Sequence, residues 1–304
     1  MVQTRANSRT RLAVLAIVTS VGALSLGDAL IKGVGVSLPL WQMFVLRSAL
    51  TLPLLWLLAR RHGPVMPAAP GWAVARSVLL VLMWLSYYAS LALMPLSLAA
   101  AVYYAGPLFI VIFAAALSRV WPPARALVAI ACGFAGVLLI IRPDPSGLSA
   151  GTLLPLLAAV LYAAAMVLTA AKCRDDNPFI LAFLLNAAFV LAGAGLGLAA
   201  GRDGSLVLGH WQAIDTSLAL TIAALAGLLL IGSVCAAYAY QNGPPATVAA
   251  FDYAYLVFSL IWGGLFFAEL PDTLVLLGIA VIAGAGLLAL PWPDRSPKET
   301  SRSQ

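Results

Sequence analysis

Long apolar runs that follow one another with only short breaks constrain this chain more than any other feature. A helix needs about 20 apolar residues to cross the hydrocarbon layer of a membrane. Of the 304 residues, 63% are hydrophobic and 9% are charged, whereas about a quarter of the residues in a soluble domain are charged. The sequence therefore predicts an all-α polytopic protein in the lipid bilayer, with little chain left for an extramembrane domain.

The apolar runs, bounded by charges, prolines and glycines, predict ten transmembrane helices. Because every break is short, consecutive helices are expected to be antiparallel neighbours in a compact bundle. The predicted spans lie near residues 11–33, 38–58, 73–93, 97–118, 124–142, 150–171, 178–200, 216–239, 245–268 and 272–292.

Lys and Arg near span ends predict the orientation, because they are retained on the cytoplasmic side. With the N-terminus inside, only Arg142 and Arg202 fall outside. The tails 1–10 and 293–304 are then both cytoplasmic, and a bacterial cytoplasmic membrane is the expected location. The net charge of +6 follows from this topology and does not imply nucleic-acid binding. The predicted cytoplasmic set is Arg5, Arg9, Arg11, Arg60, Arg61, Arg76, Arg119, Arg125, Lys172, Arg174, Arg295, Lys298 and Arg302.

The chain also repeats itself when Pro95 is aligned with Pro244. Five spans in each half force the second half to enter the membrane from the opposite side, which gives two inverted repeats, 11–143 and 147–292, around a central cavity. Chance similarity between alanine-rich apolar helices is the alternative. The alignment places Ala100, Ala101, Tyr104, Ala105 and Phe109 on Ala249, Ala250, Tyr253, Ala254 and Phe258.

Four segments resemble the EamA repeats of the drug/metabolite transporter superfamily: 99–107, 249–255, 266–271 and 278–286. The resemblance implies a ten-helix transporter with a central cavity and a small-molecule substrate. It points to the YddG-like exporters of aromatic amino acids as the nearest branch. Glu269 matches a glutamate of the family, but its counterpart near Arg119 and Val120 is missing.

Charges inside predicted spans are candidate site residues, because a charge at membrane depth costs several kcal/mol unless it pairs or faces water. Asp28 and Lys32 lie four residues apart, on one helical face with Ser25, and Arg47 lies within the next span. We expect a buried network of Asp28, Lys32 and Arg47. It is either a structural clamp between the first two helices or a contact for a substrate carboxylate or ammonium.

A polar and aromatic stripe on the ninth span is the second candidate, formed by Asp252, Tyr255, Ser259 and Trp262 at helical spacing. Such a stripe is expected to line the cavity, where Asp252 binds an ammonium or carries a proton; the alternative is a hydrogen-bonded helix contact. Aromatic rings suit flat ligands and cations, although a belt at the membrane interface is the other explanation. The further predicted cavity residues are Trp84, Tyr87, Tyr88, Tyr103 and Tyr104.

No motif indicates a cofactor, a metal site or a catalytic residue. Cys132, Cys173 and Cys235 lack ligand spacing, and His62 and His210 lie in loops. A secondary transporter, with export implied by the resemblance, is the favoured function; a pore and an intramembrane enzyme are the rivals. Amino acids are the expected substrates, with nucleotide sugars, vitamins and cationic drugs as alternatives. Ion coupling and oligomeric state stay open, with a monomer as the simplest case.

Overall fold

The structure is a computed structural model. It describes residues 2–34, 38–91, 93–94, 96–144, 150–202, 205, 207–268 and 271–289, without the side chains of 2–7, 31–34 and 96–97. Within these residues the fold is helical and contains no strand. Nine helical segments are long and apolar enough to cross a membrane, and the shorter apolar helix Thr273–Ala289 follows them. The all-α polytopic fold predicted from the apolar runs is confirmed.

The helix boundaries lie within a few residues of most predicted spans, and α1 extends further toward the N-terminus than predicted. The helices, in chain order, are α1 (Val2–Val34), α2 (Leu40–His62), α3 (Pro70–Ser90), α4 (Leu96–Tyr103), α5 (Gly106–Ser118), α6 (Ala124–Ile141), α7 (Leu153–Lys172), α8 (Pro178–Gly197), α9 (Thr216–Asn242), α10 (Pro245–Asp252), α11 (Ala254–Phe267) and α12 (Thr273–Ala289).

Two spans are interrupted, which the sequence analysis did not predict. The fourth span breaks between α4 and α5, around Tyr104, and the ninth breaks between α10 and α11, at Tyr253. These two tyrosines occupy equivalent positions in the repeat alignment. Each interrupted span also ends in a left-handed residue, Arg119 (φ 56°) or Ala268 (φ 54°), and these positions are equivalent too. The backbone of the two halves therefore follows the same unusual course in both interrupted spans.

The causes of the two breaks differ. In the fourth span, Pro107 lies at the start of α5 and has no N–H to continue the hydrogen bonding of α4. In the ninth span, the Leu256 N–H donates to the Tyr253 carbonyl at 3.1 Å. This bond spans three residues, whereas an α-helical bond spans four, so the turn is tighter here. The Tyr253 ring is fully buried against Gly133 of α6, where a Cβ atom would lie 2.4 Å from the ring. Gly133 therefore makes room for the second break.

The most extensive helix contacts join the two halves of the chain. α1 packs on α9, α2 on α8, α6 on α12 and α3 on α7. This pairing is symmetric between the two halves. When each span is exchanged with its equivalent in the other half, the α1–α9 pair becomes the α7–α3 pair, and the α2–α8 and α6–α12 pairs stay the same. The expectation that consecutive helices are neighbours is wrong for pairs such as α1 and α2, whose contact is slight. The halves interlock instead of lying side by side.

The contact between α6 and α12 brings the two backbones close together. A Cβ atom on Gly278 would lie 2.9 Å from the Gly136 carbonyl oxygen and 2.6 Å from Ile140 Cγ1. At the end of the same pair, Arg142 Nη2 donates to Asp272 Oδ1 at 2.5 Å. This bond and one from a backbone N–H lower the pKa of Asp272, so the pair is formed at neutral pH and is lost as pH falls through that lowered pKa. We call this contact the α6–α12 seam.

Arg76, which was predicted near the cytoplasmic end of its span, is buried between helices. The sequence placed it among the charges that flank spans, but it is the seventh residue of α3 and only 1% exposed. Its Nε donates to the Thr169 hydroxyl of α7 at 2.6 Å. The long side chain is held by the opposite half, so a charge close to a span end in sequence is buried in the bundle.

We predict that Gly278→Ala destabilises the protein, because the new methyl group meets backbone and side-chain atoms of α6 at distances below 3 Å. Overpacking of this kind costs about 1–3 kcal/mol. Thermal unfolding of the purified protein should therefore occur several degrees lower.

Gly284→Ala is the matched control, since it lies on the same helix with nothing within 4 Å of the added methyl group. It should keep or slightly raise the melting temperature. Equal melting temperatures for the two variants would contradict the close contact at the seam.

Candidate functional site

Aromatic rings from α3, the interrupted fourth span, α7 and α11 contact one another in an unbroken series. Neighbouring ring centroids lie 5.1–6.1 Å apart, within the range of favourable aromatic pairs. Each of these residues keeps part of its surface accessible. We call this series the aromatic chain; its members are Trp84, Tyr88, Tyr87, Tyr103, Tyr104, Tyr255 and Tyr162.

One carboxylate joins the aromatic chain from α1. The Tyr255 hydroxyl donates to Asp28 Oδ2. One turn earlier on α1, the Ser25 hydroxyl accepts a hydrogen bond from Trp262 Nε1 at 3.1 Å. The predicted stripe on the ninth span and the predicted polar face of α1 therefore meet each other across the two halves. Ser259 takes no part in this contact, because its hydroxyl donates to the Tyr255 carbonyl within its own helix.

A second carboxylate lies at the break of the ninth span. Asp252 Oδ2 accepts hydrogen bonds from Tyr240 at 2.6 Å and from Tyr162 at 3.0 Å. The residue is 6% exposed, and Oδ1 has no hydrogen-bond partner among the described residues. Tyr162 also belongs to the aromatic chain, so Asp252 is connected to the same set of side chains as Asp28. Its free oxygen is available to a proton or to an ammonium group.

Arg47 lies near the aromatic chain but does not form an ion pair with Asp28. The guanidinium carbon is 5.8 Å from the ring centroids of Trp84 and Phe189. The two opposite charges stay apart because α1 packs on α9 and α11, whereas α2 packs on α8. The side chain of Lys32 lies outside the described residues, so the predicted three-residue network stays a prediction.

Tyr162 and Phe189 are the site residues that the sequence analysis missed. Tyr162 is the one aromatic residue of α7, and a phenol in the middle of an alanine-rich span was a signal of interior position. Phe189 gave no such signal, because α8 contains several phenylalanines. Its contacts with Arg47, Phe44 and Trp84 distinguish it.

A cavity of about 760 Å³ lies at the end of the bundle where α1 begins and α7 and α9 end. Its charged lining residues are Arg9 and Arg174. Tyr240 lines the cavity and donates to Asp252, so Asp252 lies directly behind the cavity wall. The predicted aromatic residues do not line this space; they lie deeper in the bundle.

The described residues contain no group of three or more His, Cys, Asp or Glu side chains that would hold a metal ion. Cys132, Cys173 and Cys235 are free thiols. Glu269, the glutamate matched in the sequence comparison with the EamA repeats, lies outside the described residues.

Interlocked halves, two interrupted spans and a polar aromatic interior define a multi-pass membrane transporter. The chain belongs to the EamA-like transporter family, whose pattern matches residues 149–290, and thus to the drug/metabolite transporter superfamily. It is 31% identical over 220 residues to a riboflavin transporter of Rhizobium johnstonii, covering 71% of this chain and 69% of that protein. It is 27% identical over 280 residues to the pseudopaline exporter CntI of Pseudomonas aeruginosa, covering 90% and 93%.

A solved crystal structure shares the fold, with a TM-score of 0.76 over 93% of this chain and 97% of the other. Its sequence identity is 20%, so the similarity concerns the architecture alone. The arrangement of the helices over nearly the whole chain therefore also occurs in a second, distantly similar protein.

We predict that Tyr255→Phe lowers transport about tenfold, because it removes a hydrogen bond to a charged group worth about 1.5–3 kcal/mol. Asp28→Asn should have a similar effect, and the double variant should be no worse than either single one, since both changes remove the same contact. The measurement is substrate flux normalised to the amount of protein in the membrane.

Tyr238→Phe serves as the control, because Tyr238 lies outside the aromatic chain on α9. It should transport normally. Additive losses in the Asp28 and Tyr255 double variant would show that the two residues act separately.

Proposed function

We propose that the protein is a secondary transporter that exports small organic metabolites by alternating access. One observation carries this proposal: the two interrupted spans break at equivalent positions, and candidate site residues lie at both breaks. Tyr103 and Tyr104 flank the first break, and Asp252 ends the helix before the second. The backbone at both breaks stays in the right-handed helical region, and a local change of hydrogen bonding within a helix is often found at a functional position.

The proposed topology has two inverted repeats, residues 11–143 and 147–292, that rock about a site near the membrane midplane. The tails 1–10 and 293–304 face the cytoplasm of a bacterium, and the protein lies in its cytoplasmic membrane. The pairing of α1 with α9 and of α3 with α7, which is preserved on exchange of the halves, supports this arrangement. A monomer contains both halves, so the proposed site needs no second copy of the chain.

The proposed substrates are amino acids, including aromatic ones. The aromatic chain offers flat apolar surfaces with phenolic hydroxyls, while Asp28 and Asp252 offer oxygen atoms to an ammonium group. The resemblance to YddG-like exporters supports the same class. The names of the two relatives include riboflavin and pseudopaline, so a vitamin or another metabolite is the second candidate.

A pore and an enzyme are less well supported. A pore has no need for two breaks at equivalent positions, and an intramembrane enzyme requires a nucleophile with an adjacent base or a metal. We propose neither a catalytic residue nor a cofactor, and no nucleic-acid partner. Purified protein in liposomes should show saturable and stereoselective flux, whereas flux that rises linearly with solute concentration and ignores chirality would indicate a pore.

We predict that Asp252→Asn changes substrate affinity or the pH dependence of flux, because it removes the charge from the carboxylate held by Tyr162 and Tyr240. The Michaelis constant for flux, measured from pH 6 to 8 in liposomes, tests this. Asp175→Asn is the matched control, since Asp175 lies exposed in the loop between α7 and α8. If the Asp252 variant keeps both the wild-type affinity and the wild-type pH profile, Asp252 has no part in transport.

A further inference from the structure

Arg47 is a buried cation, and two of its three guanidinium nitrogens have no hydrogen-bond partner among the described residues. Its side chain is 6% exposed, and the two nitrogens are Nε and Nη2. Arginine keeps its charge in proteins and presents its donors as a planar fork. A guanidinium in this state inside a membrane protein calls for an anion, because unpaired charge is strongly disfavoured there.

Arg76 shows how the same fold treats a structural arginine. Arg76 is also buried, at 1% exposed, and its Nη1 likewise has no partner among the described residues, but its Nε donates to Thr169 of the opposite half at 2.6 Å. Its surroundings include none of the ring contacts that flank Arg47. The two buried arginines therefore differ in their partners and in their neighbours, and Arg47 is the one placed beside the aromatic chain.

The surroundings of Arg47 favour a planar acidic ligand. The guanidinium carbon lies 5.8 Å from the ring centroids of Trp84 and Phe189, and Trp84 stacks on Tyr88 with ring centroids 5.5 Å apart. The nearest acid of the site, Asp28, is already bonded to Tyr255 and makes no ion pair with Arg47. Among the described residues, no carboxylate forms an ion pair with this cation, and flat aromatic surfaces flank it.

We infer that Arg47 binds the carboxylate of a transported aromatic acid whose ring lies along the aromatic chain. A carboxylate fits the guanidinium fork with two parallel hydrogen bonds, which would occupy donors that the described residues leave unused. For an amino acid, the ammonium group would then lie toward Asp28. This inference rests on the proposed transport function and narrows its substrate class to compounds that carry a carboxylate.

Binding to the wild-type protein in lipid nanodiscs tests the inference without requiring transport. The probes are L-phenylalanine and 3-phenylpropionate, each compared with its own amide, which keeps the ring and loses the carboxylate. At least one acid should bind about tenfold more tightly than its amide, as expected for a charge-assisted bidentate pair. Equal binding of acid and amide, or no binding of either acid, would overturn the inference.

Variants then assign the preference to Arg47. Arg47→Gln should abolish the preference for the acid, and Arg47→Lys should restore part of it, because lysine keeps the charge without the fork. Arg76→Gln is the matched control; it should lower the melting temperature but keep the preference. A preference that survives in Arg47→Gln would place the anion elsewhere. If Arg47→Gln does not fold, the affinities of the wild type and of Arg47→Lys for acid and amide still test whether Arg47 binds the carboxylate.

The outcomes separate this inference from the transport proposal. Saturable flux of other solutes, together with equal binding of acids and amides, would leave the carrier standing and remove Arg47 from the site. Binding of the acid that depends on Arg47, without flux of any solute in liposomes, would support the anion site and contradict the carrier.

Discussion

The lipid surrounding this protein offers no hydrogen-bond partners, so polar groups inside the bundle must be bound by the protein itself. Much of that binding crosses from one half of the chain to the other. Ser20 donates to the Gly232 carbonyl at 2.7 Å, Trp41 donates to the Gly209 carbonyl at 2.9 Å, and Arg76 donates to Thr169. The interlocked arrangement of the helices follows from this requirement, and it brings the residues of the candidate site together.

The positions of the spans could be predicted because the length of an apolar run is a local property of the sequence. The two breaks were missed for a related reason. The sequence has no proline at the Tyr253 break, and the burial of the ring against Gly133 depends on the packing of α6, which the local sequence does not report. Helix neighbours were also mispredicted, because short loops fix chain direction but not which helices pack together.

The sequence predicted many of the residues of the candidate site but few of the contacts between them. The aromatic residues of the third and fourth spans, together with Asp28 and Tyr255, meet in the structure, since polar and aromatic groups in a span are directed away from lipid. The sequence predicted Lys32 and Arg47 as the partners of Asp28, whereas the partner found among the described residues is Tyr255 on α11. A pairing between residues more than two hundred positions apart depends on the packing of the halves, which spacing within one helix does not report.

The α6–α12 seam also limits how the molecule can change shape. Its glycines place two backbones in contact, and the ion pair between Arg142 and Asp272 fastens one end. Surfaces packed this closely do not slide past each other without repacking. In the proposed alternating-access mechanism, the seam therefore serves as the pivot, and the α1–α9 and α3–α7 pairs are the contacts that rearrange.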